Sequence, residues 1–113
     1  MPPASTLLDL TFRALADQTR RSIIERLSQG EASVSELAQP HDMSLPAIVQ
    51  HLALLEECGL VRSDKVGRVR TCRIDPAAFS LAEQWLTQRR VQWDQRLDRL
   101  GEHLKRFPDG EPT

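Results

Sequence analysis

The 113-residue sequence predicts a mainly α-helical domain with one small β-hairpin. Two patterns lead to this prediction. Capping signals and apolar residues at spacings of three and four mark five helices, and between the fourth and the fifth the apolar spacing changes to the alternation that is typical of strands. A hydrophobic content of 40%, with 5 Gly and 7 Pro, fits a single packed domain over residues 1–113.

The first four predicted helices each begin at a residue whose side-chain oxygen can accept a hydrogen bond from the first turn. These N-caps are Thr6, Asp17, Ser33 and Ser44. Thr6 and Ser33 are followed at the third position by the acidic residue of a capping box, and Pro46 lies in the first turn of the fourth helix, where a missing N–H costs nothing. The first helix is expected to cover residues 6–15, after a flexible stretch of residues 1–5.

The fourth helix has two different faces. Ile48, Leu52 and Leu55 repeat at spacings of four and three and are expected to face the core. The opposite face then presents a set of uncharged residues to solvent. These are Leu45, Pro46, Val49, Gln50 and Ala53.

The segment after the fourth helix predicts a hairpin. Residues 60–65 and 69–74 read as strands, with Val66 and Gly67 at the turn. Residues 60–75 also hold most of the excess positive charge, although the whole chain has a net charge of −1. Their charged residues are Arg62, Lys65, Arg68, Arg70 and Arg73 against Asp64 and Asp75. The sequence therefore predicts one basic hairpin in an otherwise acidic chain.

The last helix is predicted over residues 80–107, opened by a capping box at Ser80 and Glu83 and followed by flexible residues 108–113. Its apolar residues form a heptad seam, which needs a partner helix. The first helix, residues 6–15, is apolar on more than one face and also needs a second partner. We therefore predict a homodimer held by these two helices. The expected interface residues are Leu7, Leu8, Phe12, Leu86, Trp93, Leu97, Leu100, Leu104 and Phe107.

Four segments carry a resemblance to a known family. They are residues 12–21, residues 33–38, residues 42–47 with His51 and Leu52, and residues 57–61. Together they resemble the ArsR/SmtB family of bacterial repressors over residues 8–107. The resemblance implies a dimeric winged helix-turn-helix of order α-α-α-α-β-β-α in the cytoplasm. It implies that the fourth helix lies in the DNA major groove, that the hairpin is a wing on the flanking DNA, and that an effector, here unknown, changes the geometry of the dimer.

Double-stranded DNA is therefore the expected partner, besides a second copy of the chain. Gln50 can pair with adenine through two hydrogen bonds, and Val49, where relatives commonly have Ser, offers methyl groups to thymine. Lys65, Arg68 and Arg70 are candidates for phosphate contact or for a narrow minor groove. The full predicted contact set is Ser44, Leu45, Pro46, Val49, Gln50, His51, Lys65, Arg68, Arg70, Arg20 and Arg21. For His51 we favour a packing role, and for the last two arginines surface ion pairs are equally expected.

The usual metal sites of the resembled family are not matched. A Cys-x-Cys pair would fall at Ser33 and Ser35, and hydroxyls are poor ligands for soft ions. The last helix offers His103 without a second histidine. No metal or other cofactor is therefore expected. Cys58 and Cys72 leave open a thiol or metalloid sensor, with burial as small apolar residues the favoured alternative.

No residue pattern indicates catalysis. The 3 His are scattered, no Gly-rich phosphate loop is present, and no nucleophile has a neighbouring base, so the chain is not expected to be an enzyme. Its start lacks the cationic and apolar segments of a signal peptide, and no stretch approaches about 20 apolar residues, which predicts a cytoplasmic protein without a membrane partner. A winged helix that docks proteins instead of DNA is the other hypothesis, and the basic hairpin favours DNA.

Overall fold

A computed structural model describes residues 3–106 of the chain. The predicted order of helices and strands is confirmed, with one extra short strand and one 3₁₀ turn. The elements are α1 (Ala4–Leu15), α2 (Gln18–Leu27), β1 (Ala32–Ser33), α3 (Val34–Ala38), α4 (Leu45–Glu57), β2 (Val61–Val66), β3 (Val69–Ile74), the 3₁₀ turn (Pro76–Phe79) and α5 (Ser80–Arg106). The chain divides into two units, residues 1–82 and residues 83–113.

The core of the first unit is built from one face of α4 and the elements around it. Ile48, Leu52 and Leu55 are completely buried, as the spacing of the apolar residues predicts. The other buried apolar residues of this core are Ala14, Ile23, Leu27, Ala32, Leu37, Cys58, Leu60, Val61 and Cys72. Because one face of α4 is held in this core, the opposite face lies at the surface.

The three strands form an antiparallel sheet in the order β1-β3-β2. Val66 pairs with Val69, so the turn consists of Gly67 and Arg68, and the predicted turn at Val66 and Gly67 is wrong by one residue. The physical reason is the φ of +62° at Gly67, because a positive φ at the first of two turn residues matches the favoured Gly-X hairpin turn. Strand β1 was not predicted, since two residues show no alternation.

The predicted caps at Asp17, Ser33 and Ser44 are confirmed, and Ser33 forms the complete capping box with Glu36. The predicted cap at Thr6 is wrong. Helix α1 begins at Ala4, because the carbonyl of Pro3 already accepts a hydrogen bond from the N–H of Leu7. Of residues 1–5, which the sequence predicts to be flexible, Ala4 and Ser5 are the first residues of α1, and residues 1 and 2 lie outside the described part.

The predicted capping box at Ser80 and Glu83 is also wrong. Asp75 caps the preceding 3₁₀ turn through the N–H of Ala77, and this turn runs directly into α5, so the N–H of Ser80 already donates to the Ala77 carbonyl. Phe107 and the predicted flexible end, residues 108–113, lie outside the described residues. Between residues 3 and 106, no helix, α5 included, is both long and apolar enough for a membrane crossing.

The cap at Asp17 generates a prediction about stability. Its carboxylate accepts a hydrogen bond from the backbone N–H of Arg20 at 3.0 Å, and this bond lowers the pKa of Asp17 below the ordinary 3.8. Asp17→Ala removes the acceptor, so we expect the free energy of unfolding to fall by about 1 kcal/mol. Urea denaturation at neutral pH and one fixed protein concentration measures this, because subunit association affects apparent stability.

The matched control is Asp17→Asn, which keeps a side-chain oxygen at the cap. A lowered pKa in the folded state means that the ionised carboxylate contributes fully above the ordinary value and loses this contribution as pH falls through the folded-state pKa. Wild-type protein should therefore lose stability relative to the Asn variant on acidification. Equal stability of wild type and Asp17→Ala at neutral pH would contradict the assignment.

Candidate nucleic-acid interface

The N-terminal half of α4 forms an exposed, uncharged surface. Ser44 caps the helix by accepting from the N–H of Ala47 at 3.3 Å. The residues that follow on the outer face are exposed, as predicted, including Leu45 at 50% and Val49 at 38%, with Gln50 beside them. Helix α4 carries no Lys or Arg. A polyanion approaching this face must therefore be held by cations from other elements.

The tip of the hairpin provides two such cations. Lys65 and Arg68 are both exposed, and within residues 3–106 neither forms an ion pair. The two valines of the tip are exposed as well, Val66 at 78% and Val69 at 54%. We call residues 65–69 the wing tip. The wing tip thus combines two available positive charges with two unburied apolar side chains.

The other three basic residues of the hairpin are neutralised by acidic partners. Arg62 pairs with Asp75 at 2.8 Å, and Arg73 pairs with Asp64. The hydrogen bond from Arg62 holds the pKa of Asp75 below its usual range. The sequence contained these partners, but only the strand register places them within reach. The excess positive charge is therefore concentrated at the wing tip.

The sequence predicts that Arg70 contacts DNA, but in the structure its side chain binds residues of the protein itself. Its guanidinium binds Glu56 on α4, with 2.5 Å between Nη2 and Oε1, and Nε donates to Ser63 Oγ at 2.9 Å. Its side chain is 31% exposed. The prediction of a direct phosphate contact by Arg70 is therefore at odds with this geometry, in which the donors face the body of the protein.

Arg20 and Arg21 likewise bind within the chain, at the C-terminal end of α1. Arg20 donates to the carbonyls of Ala14 at 2.7 Å and Arg13 at 3.2 Å, and Arg21 donates to that of Leu15 at 2.9 Å. These carbonyls lie in the last turn of α1, where intrahelical donors run out, although that of Arg13 also accepts from the N–H of Ala16. The predicted phosphate contacts of both arginines therefore gain no support from the geometry.

His51 is half-buried, in line with the packing role favoured from the sequence. Its Nδ1 lies 3.1 Å from Nη1 of Arg20 and 3.8 Å from the Asp17 carboxylate. Because a guanidinium only donates, Nδ1 is the acceptor in the contact with Arg20. Arg20 thus connects the end of α1 to α4.

The two cysteines are buried free thiols. Burial raises the pKa of Cys72, and the Cys58 thiol donates to the Leu55 carbonyl at 3.4 Å. A raised pKa reduces the thiolate fraction on which thiol chemistry depends. No group of three or more His, Cys, Asp or Glu between residues 3 and 106 is arranged to hold a metal ion.

The residues predicted at the dimer interface fall into two groups. On α1, Leu7 packs against the chain's own core, while Leu8 and Phe12 are half-buried. On α5 the seam is open: five apolar side chains are between 51% and 61% exposed. They are Leu86, Trp93, Leu97, Leu100 and Leu104. The seam is therefore available to a second chain.

Comparisons with known proteins identify bacterial transcriptional regulators as relatives of this chain. A family model described as bacterial regulatory protein, arsR family, matches residues 17–63. The arsenical resistance operon repressor of Escherichia coli is 41% identical over 88 residues, which are 72% of this chain and 75% of that protein. A crystal structure of an ArsR family transcriptional regulator, RHA00566, matches with a TM-score of 0.78 and 46% identity over 83% of this chain and 97% of the other.

A further solved structure is similar over most of its length. It is the homodimeric winged helix-turn-helix DNA-binding domain of Mb0332 from Mycobacterium bovis, described as a possible ArsR-family transcriptional regulator. It matches with a TM-score of 0.58 and 31% identity over 84% of this chain and 88% of that one. The fold is thus shared with a domain that is described as DNA-binding.

Proposed function

The chain belongs to the arsR family of bacterial regulatory proteins, and on that premise we propose that it is a homodimeric transcriptional repressor that binds a twofold-symmetric operator in double-stranded DNA. The observation that carries the proposal is the pairing of an exposed, uncharged face of α4 with a wing tip that holds the two available cations of the hairpin. In this proposal the exposed face of α4 reads bases, and the wing tip binds phosphates.

In the proposed complex, α4 lies in the major groove, which is about 12 Å wide and admits one helix. Gln50 donates to and accepts from an adenine edge, and Val49 contacts a thymine methyl group. The N-terminus of α4, capped by Ser44, faces a phosphate. Leu45 and Pro46 complete the surface inside the groove.

Lys65 and Arg68 bind phosphates or enter a narrow minor groove beside the α4 site. The intramolecular bonds of Arg20, Arg21 and Arg70 support leaving these three residues out of the contact set, and His51 is assigned to packing. Two cations per subunit give a dimer four, enough for binding that weakens steeply with salt.

The dimer is proposed to form through the apolar seam of α5 together with α1. The homodimeric state of the Mycobacterium bovis relative supports a dimer, and the exposed apolar residues of α5 support placing its interface there. Two subunits related by a twofold axis would place their α4 helices in successive major grooves, about 34–36 Å apart or a multiple of that spacing.

We further propose that the protein is cytoplasmic, uses no cofactor and catalyses no reaction. Ser33 and Ser35 at the positions of the Cys-x-Cys pair support regulation without that metal site. A sensor built on Cys58 and Cys72 is disfavoured by the burial of both thiols. Selection of bound fragments from the source genome tests the proposal as a whole, and recovery of no enriched fragment would refute it.

The first prediction of this proposal concerns base reading. Gln50→Ala removes a bidentate contact, so we expect a loss of about 1–3 kcal/mol of discrimination at one base pair of each half-site. The measurement is competitive binding to duplexes that vary that pair. Gln88→Ala on α5 is the matched control and should leave the preference intact. Unchanged preference in Gln50→Ala would show that α4 is placed incorrectly.

The second prediction concerns the wing tip. Arg68→Ala should weaken binding to all duplexes alike, and the slope of log affinity against log salt should fall by about 1 for each lost phosphate contact. Fluorescence anisotropy over a salt series measures this. Arg106→Ala is the control, because it changes the net charge by the same amount. It should leave the slope of log affinity against log salt unchanged. An equal effect of both substitutions would point to overall charge instead of contact.

The third prediction concerns the dimer. Leu97, which is 56% exposed, lies in the middle of the α5 seam. Leu97→Glu places a charge in an apolar interface, so we expect monomers in sedimentation velocity and loss of operator binding. Gln95→Glu adds the same charge about 200° around the helix and should remain dimeric. A dimer that survives Leu97→Glu would exclude the seam.

A further inference from the structure

Three side chains connect α4 to both strands of the hairpin. Glu56 Oε1 accepts from the Ser63 hydroxyl at 2.5 Å and from Arg70 Nη2 at 2.5 Å, and Arg70 Nε donates to Ser63 Oγ at 2.9 Å. The bonds close on themselves, so each residue binds the other two. We call these three residues the ring. Glu56 belongs to α4, Ser63 to β2 and Arg70 to β3.

The ring lies at the outer limit of the contact between the hairpin and the body of the protein. At the base of β2, Val61 is buried, and Ser63 pairs across the strands with the buried Cys72. Beyond the ring, residues 64–69 are all exposed. Within the described residues, the ring is therefore the last attachment of the hairpin before the wing tip.

Each hydrogen bond of the ring has a defined donor and a defined acceptor. The single hydroxyl proton of Ser63 is used toward Glu56, while its oxygen accepts from Arg70. Nε and Nη2 of Arg70 form one edge of a planar fork, which Lys cannot reproduce. The side chains of Glu56 and Arg70 are 28% and 31% exposed, so removing one partner leaves the other half-buried charge unpaired.

We propose that the ring is a positioning device, which sets the angle of the wing tip relative to α4 so that both fit one DNA duplex. This inference rests on the proposed function. Arg70 then contributes to DNA binding without touching DNA. Glu56 contributes as well, although it is an acidic residue in a protein that binds a polyanion.

Direct phosphate contact and positioning predict opposite signs for Glu56→Gln. If Arg70 is a phosphate ligand restrained by Glu56, the substitution frees a guanidinium and removes a negative charge, so affinity should rise. If the ring positions the wing tip, affinity should fall, because the tip must be ordered on binding. Glu57→Gln is a control of identical charge change, since Glu57 is the exposed neighbour outside the ring.

The experiment uses full-length protein and the duplex recovered by selection, cut to about three helical turns. We expect Glu56→Gln and Arg70→Gln each to weaken binding roughly ten-fold, and Arg70→Lys to restore little of this. The double variant should be no weaker than either single one, because the ring is already open. The salt slope should stay at the wild-type value in all of them, and Glu57→Gln should bind as tightly as wild type or more tightly.

Three results would overturn the proposal: tighter binding by Glu56→Gln, a salt slope reduced by about one in Arg70→Gln, or additive losses in the double variant. Residual dipolar couplings of the free protein report the wing angle without DNA. They should change for the amides of residues 64–69 in Glu56→Gln and stay constant within α4. Ser63→Ala, which removes one oxygen, is the mildest variant and should shift the couplings in the same direction.

The two readouts separate the two proposals. If the couplings change in Glu56→Gln but the wild-type protein binds no duplex, the proposed function is refuted. The role of the ring in DNA binding is then refuted with it. Wild-type binding with unchanged couplings would refute the ring alone. Circular dichroism and sedimentation velocity of each variant identify any loss of fold or assembly.

Discussion

The burial of one face of α4 is the constraint on which the rest of the structure depends. Ile48, Leu52 and Leu55 are fully enclosed, so the helix can neither rotate nor separate from the core without exposing large apolar side chains. The face with Val49 and Gln50 is consequently held at the surface. A recognition surface of this kind is rigid because its reverse side is part of the core.

Electrostatics complements this geometry. Helix α4 has no basic residue, and the chain as a whole is slightly acidic. Acidic partners neutralise Arg62, Arg70 and Arg73 along the hairpin, while the wing tip keeps its charge. A protein with net charge −1 can in this way present a local positive field, because attraction to phosphate depends on the charges nearest to it and salt screens the distant ones.

Hydrogen bonds also connect α1, one helix of the proposed dimer, to α4, the helix that we propose reads DNA. Arg20 binds two carbonyls at the end of α1 and His51 in the middle of α4, and Glu56, in the last turn of α4, binds both strands of the hairpin. Helix α4 is thus attached at its middle, through Arg20, to a helix of the proposed dimer interface, and at its C-terminal end to the hairpin. These attachments involve polar side chains and lie outside the apolar core.

The order of the elements, three of the helix caps and the two faces of α4 could be predicted from the amino-acid sequence alone. These features depend on residues close together in the chain, through helical spacing and through caps such as Asp17 and Ser33. The sequence did not reveal the two-residue strand β1, the start of α1 at Ala4 or the 3₁₀ turn that leads into α5 in place of the expected capping box. Which basic residues remain available became visible only in the folded chain. Arg70 and Glu56 are fourteen positions apart and meet only when the hairpin folds onto α4, so no local pattern could show that this charge is already bound.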